Sequence, residues 1–405
     1  MTPPSDSPTY FRKGFGLKSE VQGELATDYA GDIVDLLRSH DFTLSVGDVT
    51  IRLAREFGFC YGVERAVDYA YQTRRKFPDR RVVLVGEIIH NPHVNDRLRE
   101  MGVEILMPAG PTAAFDFSGI TSDDVVIMPA FGVTIDDFAA LRALGCVLVD
   151  TTCGSVLNVW KRVESYARDG YTALIHGKYY HEETRATASQ VRKYPEGQYL
   201  IVRNMDEARI VCEYIEGRVT SDALMTRFAR AVSPGFDPER HLRRIGVANQ
   251  TTMLARESLA IAEEVGAAIA RARGPEARAA DFRSFDTICS ATQERQDAVR
   301  ELIDEGVDVM VVIGGFNSSN TMSLAALCAD VVPTYHIENA AAIDPEARTI
   351  HYRPAQIRHT ERDAVDWLPA GAVRVGITAG ASTPNNKIGD VVARVLATRG
   401  LEAPL

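Results

Sequence analysis

Short, uninterrupted apolar runs recur along this chain, each followed by helical periodicity. Val82-Val-Leu-Val85, Val125-Val-Ile-Met128, Thr172-Ala-Leu-Ile175, Tyr199-Leu-Ile-Val202 and Val309-Met-Val-Val-Ile313 lack the apolar–polar alternation of a half-exposed strand, and Val373 to Ile377 joins them with Arg374 as its one charge. A strand with no polar face must be covered on both sides. The pattern therefore predicts an α/β protein with several small parallel sheets flanked by helices. At 405 residues the chain is long enough for two or three compact domains.

Three cysteines occupy similar places in this pattern. Cys60 lies in Glu56-Phe-Gly-Phe-Cys-Tyr-Gly-Val63, Cys153 in Asp150-Thr-Thr-Cys-Gly-Ser-Val156 and Cys289 in Asp286-Thr-Ile-Cys-Ser-Ala-Thr292. Strand-like segments precede them: Val49 to Leu53, Val147 to Val149 and Phe285 to Ile288. Amphipathic helical patterns follow, with apolar positions at Val63, Ala66, Val67, Ala70 and Tyr71, at Val156, Val159, Trp160 and Val163, and at Ala298, Val299, Leu302 and Ile303. A cysteine where a strand ends and a helix begins faces N–H groups that stabilise a thiolate. Three such thiolates would make a soft metal site with one position open. Without a Cys-x-x-Cys pair, the cysteines taken alone are read first as small buried hydrophobes and only second as metal ligands. That reading suits Cys146, Cys212 and Cys328, which have apolar neighbours. The repeated Asp-Thr-x-Cys also hints at internal duplication.

Composition excludes several classes. No apolar run of membrane-spanning length occurs and the N-terminus lacks a secretory pattern, so a cytoplasmic protein with reduced thiols is expected. The net charge of −10 argues against general nucleic-acid binding. The basic run Arg74-Arg-Lys76 with Arg80 and Arg81 reads first as a solvated helix end and second as a dock for an acidic partner.

Polar loops follow several strands, where ligands bind in open α/β sheets. Gly314-Gly315 leads into Asn317-Ser-Ser-Asn320 and a helical pattern, Ile377 into Thr378-Ala-Gly-Ala-Ser-Thr-Pro384, and Asn249-Gln-Thr-Thr252 is a third cluster. Each singly is a helix cap or turn; together they suit an anion. No nucleotide-binding glycine motif is present. His90 in Gly86-Glu-Ile-Ile-His-Asn91, together with His176 and His181, which flank Gly177 to Tyr180, the latter followed by Glu182 and Glu183, adds acid–base capacity. His93, His241, His336, His351 and His359 are read as inert.

These motifs, in this order and spacing, resemble the 4-hydroxy-3-methylbut-2-enyl diphosphate reductases (LytB/IspH family) from about residue 8 to 395. The resemblance rests on Gly58 to Val67, Ile88 to Asn91, Asp150 to Cys153, His181 to Glu183, Gln250 to Thr252, Asp286 to Cys289, Asn317 to Asn320 and Thr378 to Pro384. Phe11-Arg-Lys-Gly-Phe-Gly16 is similar to the longer cyanobacterial and plastid form. The resemblance implies three lobes in pseudo-threefold arrangement around a central iron–sulfur cluster. Their expected bounds are an extension at 1–48, lobes at 49–152, 153–288 (with an insertion at 216–244) and 289–385, and a C-terminal segment at 386–405, the strand in 49–60 joining the third lobe. The 1–48 extension is expected to carry one helix, Tyr29 to His40, and the segments 216–244 and 270–280 to run as surface insertions or linkers.

In such enzymes Cys60, Cys153 and Cys289 would hold three irons of a [4Fe-4S] cluster, which oxygen can degrade to [3Fe-4S]. The fourth iron would meet the substrate hydroxyl. His90, His181, Thr251, Ser318, Ser319, Asn320 and Ser382 would grip the diphosphate. Glu183 would deliver protons, with Thr251 in the relay. The implied reaction is reductive dehydroxylation to isopentenyl and dimethylallyl diphosphates. Electrons would come from a ferredoxin or flavodoxin, to a monomer or homodimer. Two departures stand out. Phe131, in Pro129-Ala-Phe-Gly132, replaces a histidine of many short bacterial members, and His176-Gly-Lys-Tyr-Tyr-His181 replaces a Gly-His-x-Gly-His loop, where Lys178 offers a charge. A non-redox iron–sulfur hydro-lyase, a non-catalytic redox sensor and a structural zinc site are the alternatives.

Overall fold

The computed structural model describes residues 9–285, 287–355, 357 and 360–404. Asp286 and His359, both named above, lie outside them. The chain forms two compact units. Of the described residues, one draws on those in 9–14, 77–88 and 102–289, the other on those in 15–76, 89–101 and 290–404.

The first unit contains two parallel sheets. One has the order Tyr10–Phe11, Val147–Asp150, Val125–Met128, Val82–Val85 and Val103–Leu106. The other runs Phe282–Ser284, Ile245–Asn249, Thr172–His176 and Tyr199–Val202. In the second unit Thr334–Ile337, Val309–Ile313, Val373–Ala379 and Val49–Leu53 are parallel, and Thr43–Val46 closes the edge antiparallel. A three-stranded antiparallel sheet, Ile343–Asp344, Thr349–Tyr352 and Arg362–Val365, accompanies it. All six apolar runs are strands, and the four of them at Val82–Val85, Val125–Met128, Thr172–His176 and Val309–Ile313 are buried at every residue. Helices cover both faces and supply the remaining core.

Four expectations change. The strand before Cys289 is Phe282–Ser284, three residues earlier than its apolar pattern suggested. Phe285 leaves the sheet, 44% exposed, and lies against Tyr166 with Arg162 over its ring. The N-terminal segment carries two helices, Lys18–Tyr29 and Asp32–Ser39, and the strands Tyr10–Phe11 and Thr43–Val46. Its helical pattern breaks at Gly31, an extended cap where any Cβ would come within 2.8 Å of the Asn385 backbone. Residues 216–244 contain the helices Ser221–Phe228 and Pro238–His241, and Leu224, Phe228, Phe236 and Leu242 enter the core. Residues 270–280 finish the helix Ala255–Arg273 and form most of Pro275–Asp281. These apolar residues are too sparse locally to announce burial; the sheet beneath them decides it.

The second unit's N-terminal helices are tied to its functional helices. Asp28 accepts from the Tyr71 hydroxyl at 2.6 Å and from Arg97 Nε at 2.9 Å. Tyr71 belongs to Tyr61–Lys76, the helix after Cys60, and Arg97 to Pro92–Glu100, the helix after His90.

Two histidines are fully enclosed. His176 Nδ1 meets Ser258 Oγ at 2.8 Å and His336 Nε2 meets the Gly314 carbonyl at 2.9 Å. Burial pushes both down to about 4. Each is depressed below its unfolded value near 6.5, so its contribution is full above that pH and is lost as pH falls towards 4. The neutral pair is thus expected to cost the fold on the order of 3 kcal/mol per histidine on acidification. Urea midpoints measured between pH 7 and pH 4 check this. A midpoint independent of pH in that window contradicts it.

Candidate active site

Each of the three cysteines directly precedes a helix. Cys153 is the N-cap of Gly154–Arg168, with extended backbone (φ −61°, ψ 142°). The Cys60 carbonyl accepts from Glu64 N at 2.9 Å at the start of Tyr61–Lys76. Cys289 directly precedes Ser290–Asp304. All three are partly exposed, whereas Cys146, Cys212 and Cys328 are buried. Burial raises the thiols of the latter group, those of Cys212 and Cys328 to about 12. Accessible thiols at helix N-termini suit a thiolate-bound cluster, and enclosed neutral thiols do not.

In the first unit a continuous chain of contacts joins two of these cysteines. The Cys153 amide donates to the Ala130 carbonyl at 2.9 Å. Adjacent Phe131 stands edge-on to His181, with centroids 5.7 Å apart. His181 caps the helix Glu182–Ser189, its Nδ1 accepting from Glu183 N at 3.2 Å. The Glu183 carboxylate, 1% exposed, accepts from the Thr251 amide at 2.5 Å. Two residues before Thr251, Asn249 bonds Thr287, which lies two residues before Cys289; its amide donates to Thr287 Oγ1 at 3.2 Å. Glu183 is thus held between the two cysteine loops by groups at strand ends. Gln250 stiffens this arrangement, accepting from Thr184 Oγ1 at 3.0 Å and Lys178 N at 3.2 Å and donating to Thr252 at 2.7 Å.

The second unit holds five of the seven anion-binding candidates, His90, Ser318, Ser319, Asn320 and Ser382, with Cys60; His181 and Thr251 belong to the first. The Cys60 amide donates to the Ala381 carbonyl at 3.3 Å, and Ala381 N donates to Asn320 Oδ1 at 2.9 Å. Ser382 Oγ donates to the His90 carbonyl at 3.1 Å. His90 Nδ1 lies 3.5 Å from Asn317 Nδ2. Ser318 caps Ser319–Ala329, receiving the Thr321 amide at 3.3 Å. Ser318, Ser319, Asn320 and Ser382 are all buried. Asn320 Nδ2 is buried with no hydrogen-bond acceptor among the described residues, a donor that an anion would satisfy. The glycines here have no spare room: a Cβ on Gly380 would sit 1.9 Å from Thr321 Oγ1.

Asn249 and Gln250 were named in the sequence only as members of the Asn249–Thr252 polar cluster, and Thr287 only within the Cys289 motif; neither signal gave the roles seen here. The basic run is largely occupied internally: Arg75 faces Glu20 and Glu24 at 3.9 and 3.5 Å, and Arg81 pairs with Glu104 at 2.6 Å.

An α/β fold with half-buried thiols at helix starts, an enclosed carboxylate and a hydroxyl-rich helix start suits an enzyme acting on a small anionic substrate. Among the described residues no helix is long and apolar enough to cross a membrane. The LytB protein family model matches residues 51–396, and the chain belongs to that family. Curated relatives called 4-hydroxy-3-methylbut-2-enyl diphosphate reductase include that of Synechococcus sp., 47% identical over 96% of both chains. Another, from Thermosynechococcus vestitus, is 46% identical over 98% of this chain and 96% of that one. A solved (E)-4-hydroxy-3-methyl-but-2-enyl diphosphate reductase, described as the terminal enzyme of the non-mevalonate pathway, aligns with TM-score 0.51 and 28% identity over 85% of this chain and 98% of that chain. The Plasmodium falciparum reductase shares the fold, with TM-score 0.60 and 19% identity over 85% of this chain and 87% of that one.

Proposed function

We propose that this chain removes the hydroxyl of (E)-4-hydroxy-3-methylbut-2-enyl diphosphate reductively, giving isopentenyl and dimethylallyl diphosphates, the last step of the non-mevalonate route. The observation that carries this reading is the run of contacts from Cys153 through His181, Glu183 and Thr251 to the Cys289 loop. It links one enclosed carboxylate to the loops that carry two of the cysteines, which supports a proton donor beside a thiolate-held cluster.

Cys60, Cys153 and Cys289 would hold a [4Fe-4S] cluster, with one iron left without a protein ligand. Bound there, it supplies single electrons and a Lewis-acidic iron. The remaining chemistry belongs to side chains. His90, His181, Thr251, Ser318, Ser319, Asn320 and Ser382 bind and orient the diphosphate, with the start of the helix Ser319–Ala329 favouring its charge. Glu183 holds the proton that leaves with the hydroxyl as water, and Thr251 keeps that carboxyl aimed through its amide. Phe131 contributes no donor; its edge contact fixes the plane of the His181 ring instead. A small acidic electron carrier of the ferredoxin or flavodoxin type supplies the reducing equivalents.

An anaerobic assay with the diphosphate substrate, with and without reduced viologen, tests the reading. Products that appear only with reductant support it. Loss of water without reductant, giving a diene diphosphate instead, points to a hydro-lyase, and no product from protein with intact cluster overturns the reductase assignment.

A further inference from the structure

The strand Tyr10–Phe11 lies outside the residues that the family model matches, yet it reaches a cysteine loop. It adds to the edge of the first sheet beside Val147–Asp150, with Tyr10 opposite Leu148 and Phe11 opposite Val149. Asp150 ends that strand, three residues before Cys153, and is 6% exposed. One of its oxygens, Oδ1, accepts the Thr152 amide at 3.0 Å and so sets the turn into Cys153. The other, Oδ2, accepts the Tyr10 hydroxyl at 2.6 Å and lies 3.3 Å from Arg12 Nε. A single buried carboxylate is therefore shared between the N-terminal strand and the cysteine turn.

We propose that Tyr10 is a positioning residue for Cys153, acting through its hydroxyl on Asp150. This rests on the reading of Cys153 as a cluster ligand. A buried carboxylate needs its hydrogen-bond donors. Without the Tyr10 hydroxyl, Asp150 would turn towards the half-exposed Arg12 and loosen the Thr152 bond. The other side of the loop is fixed independently, since Thr151 bonds the Met128 carbonyl through N at 3.2 Å and Oγ1 at 2.7 Å. The turn at Asp150 is thus the part that the N-terminal strand controls. Packing alone does not require a tyrosine: the ring stands edge-on to Phe138 with centroids 5.7 Å apart, which phenylalanine would reproduce.

The test compares wild type, Tyr10→Phe and Phe138→Leu as anaerobic cluster-loaded proteins. Iron release to a ferrous chelator and the electron paramagnetic resonance of the reduced cluster are the readouts, with melting of each cluster-free protein alongside. Tyr10→Phe is expected to release iron about tenfold faster and to alter the resonance, with little change in cluster-free melting. Phe138→Leu, which keeps the hydroxyl, is expected to melt earlier but to release iron at the wild-type rate. Unchanged release and resonance in Tyr10→Phe overturn the proposal, as does equal acceleration in Phe138→Leu. A wild-type chain that binds no cluster overturns the underlying assignment and this inference with it.

Discussion

Glu183→Gln is expected to lower turnover by about 10²- to 10⁴-fold while leaving the cluster and the fold intact. The substitution conserves volume, and the amide carbonyl still accepts the Thr251 N–H that Glu183 receives at 2.5 Å. What disappears is the transferable proton. Because Glu183 is only 1% exposed, bulk water is poorly placed to replace it. Cluster absorbance and reductant-dependent product formation, measured on one preparation, separate these effects. Wild-type turnover in the variant would remove Glu183 from proton delivery. Loss of absorbance together with turnover would recast it as a structural support for the two cysteine loops.

The second large effect concerns the two sets of thiols. Single serine replacements at Cys60, Cys153 or Cys289 are expected to abolish stable iron binding, since each would remove one of the three ligands proposed for the cluster. Alanine at Cys146, Cys212 or Cys328 is expected to preserve iron content. These residues are buried fillers in apolar clusters, and shortening them costs about 1 kcal/mol of packing. Iron and sulfide per chain after anaerobic reconstitution, with a thermal melt of each variant, distinguish the sets. Iron retained by Cys289→Ser but lost by Cys328→Ala would reverse the assignment.

The regular elements were legible wherever burial is written as local periodicity. Val82–Val85 and Val309–Ile313 are buried at every residue, and no exposed alternative suits four or five consecutive β-branched or apolar residues. The helix after Cys60 was equally plain: Val63, Ala66, Val67, Ala70 and Tyr71 are all buried on one face. The strand before Cys289 was misjudged because Phe285 is apolar but exposed, where it supports a cation–π contact with Arg162 rather than a sheet. Segments 216–244 and 270–280 looked like linkers because their composition is polar and their helices short. Their few apolar residues become core only when a sheet lies beneath them.

By itself the sequence determined the α/β alternation, the strand-end cysteines and the order of the polar loops, because strand and helix periods are local properties of neighbouring residues. Only the tertiary structure decided that Phe131 meets His181, that Asn249 holds Thr287, that Glu183 receives the Thr251 amide and that Tyr10 reaches Asp150. Each of these contacts joins residues dozens of positions apart. They follow from which strands pair and in what register, and that choice is made by the summed burial of whole sheets rather than by any residue's own neighbourhood.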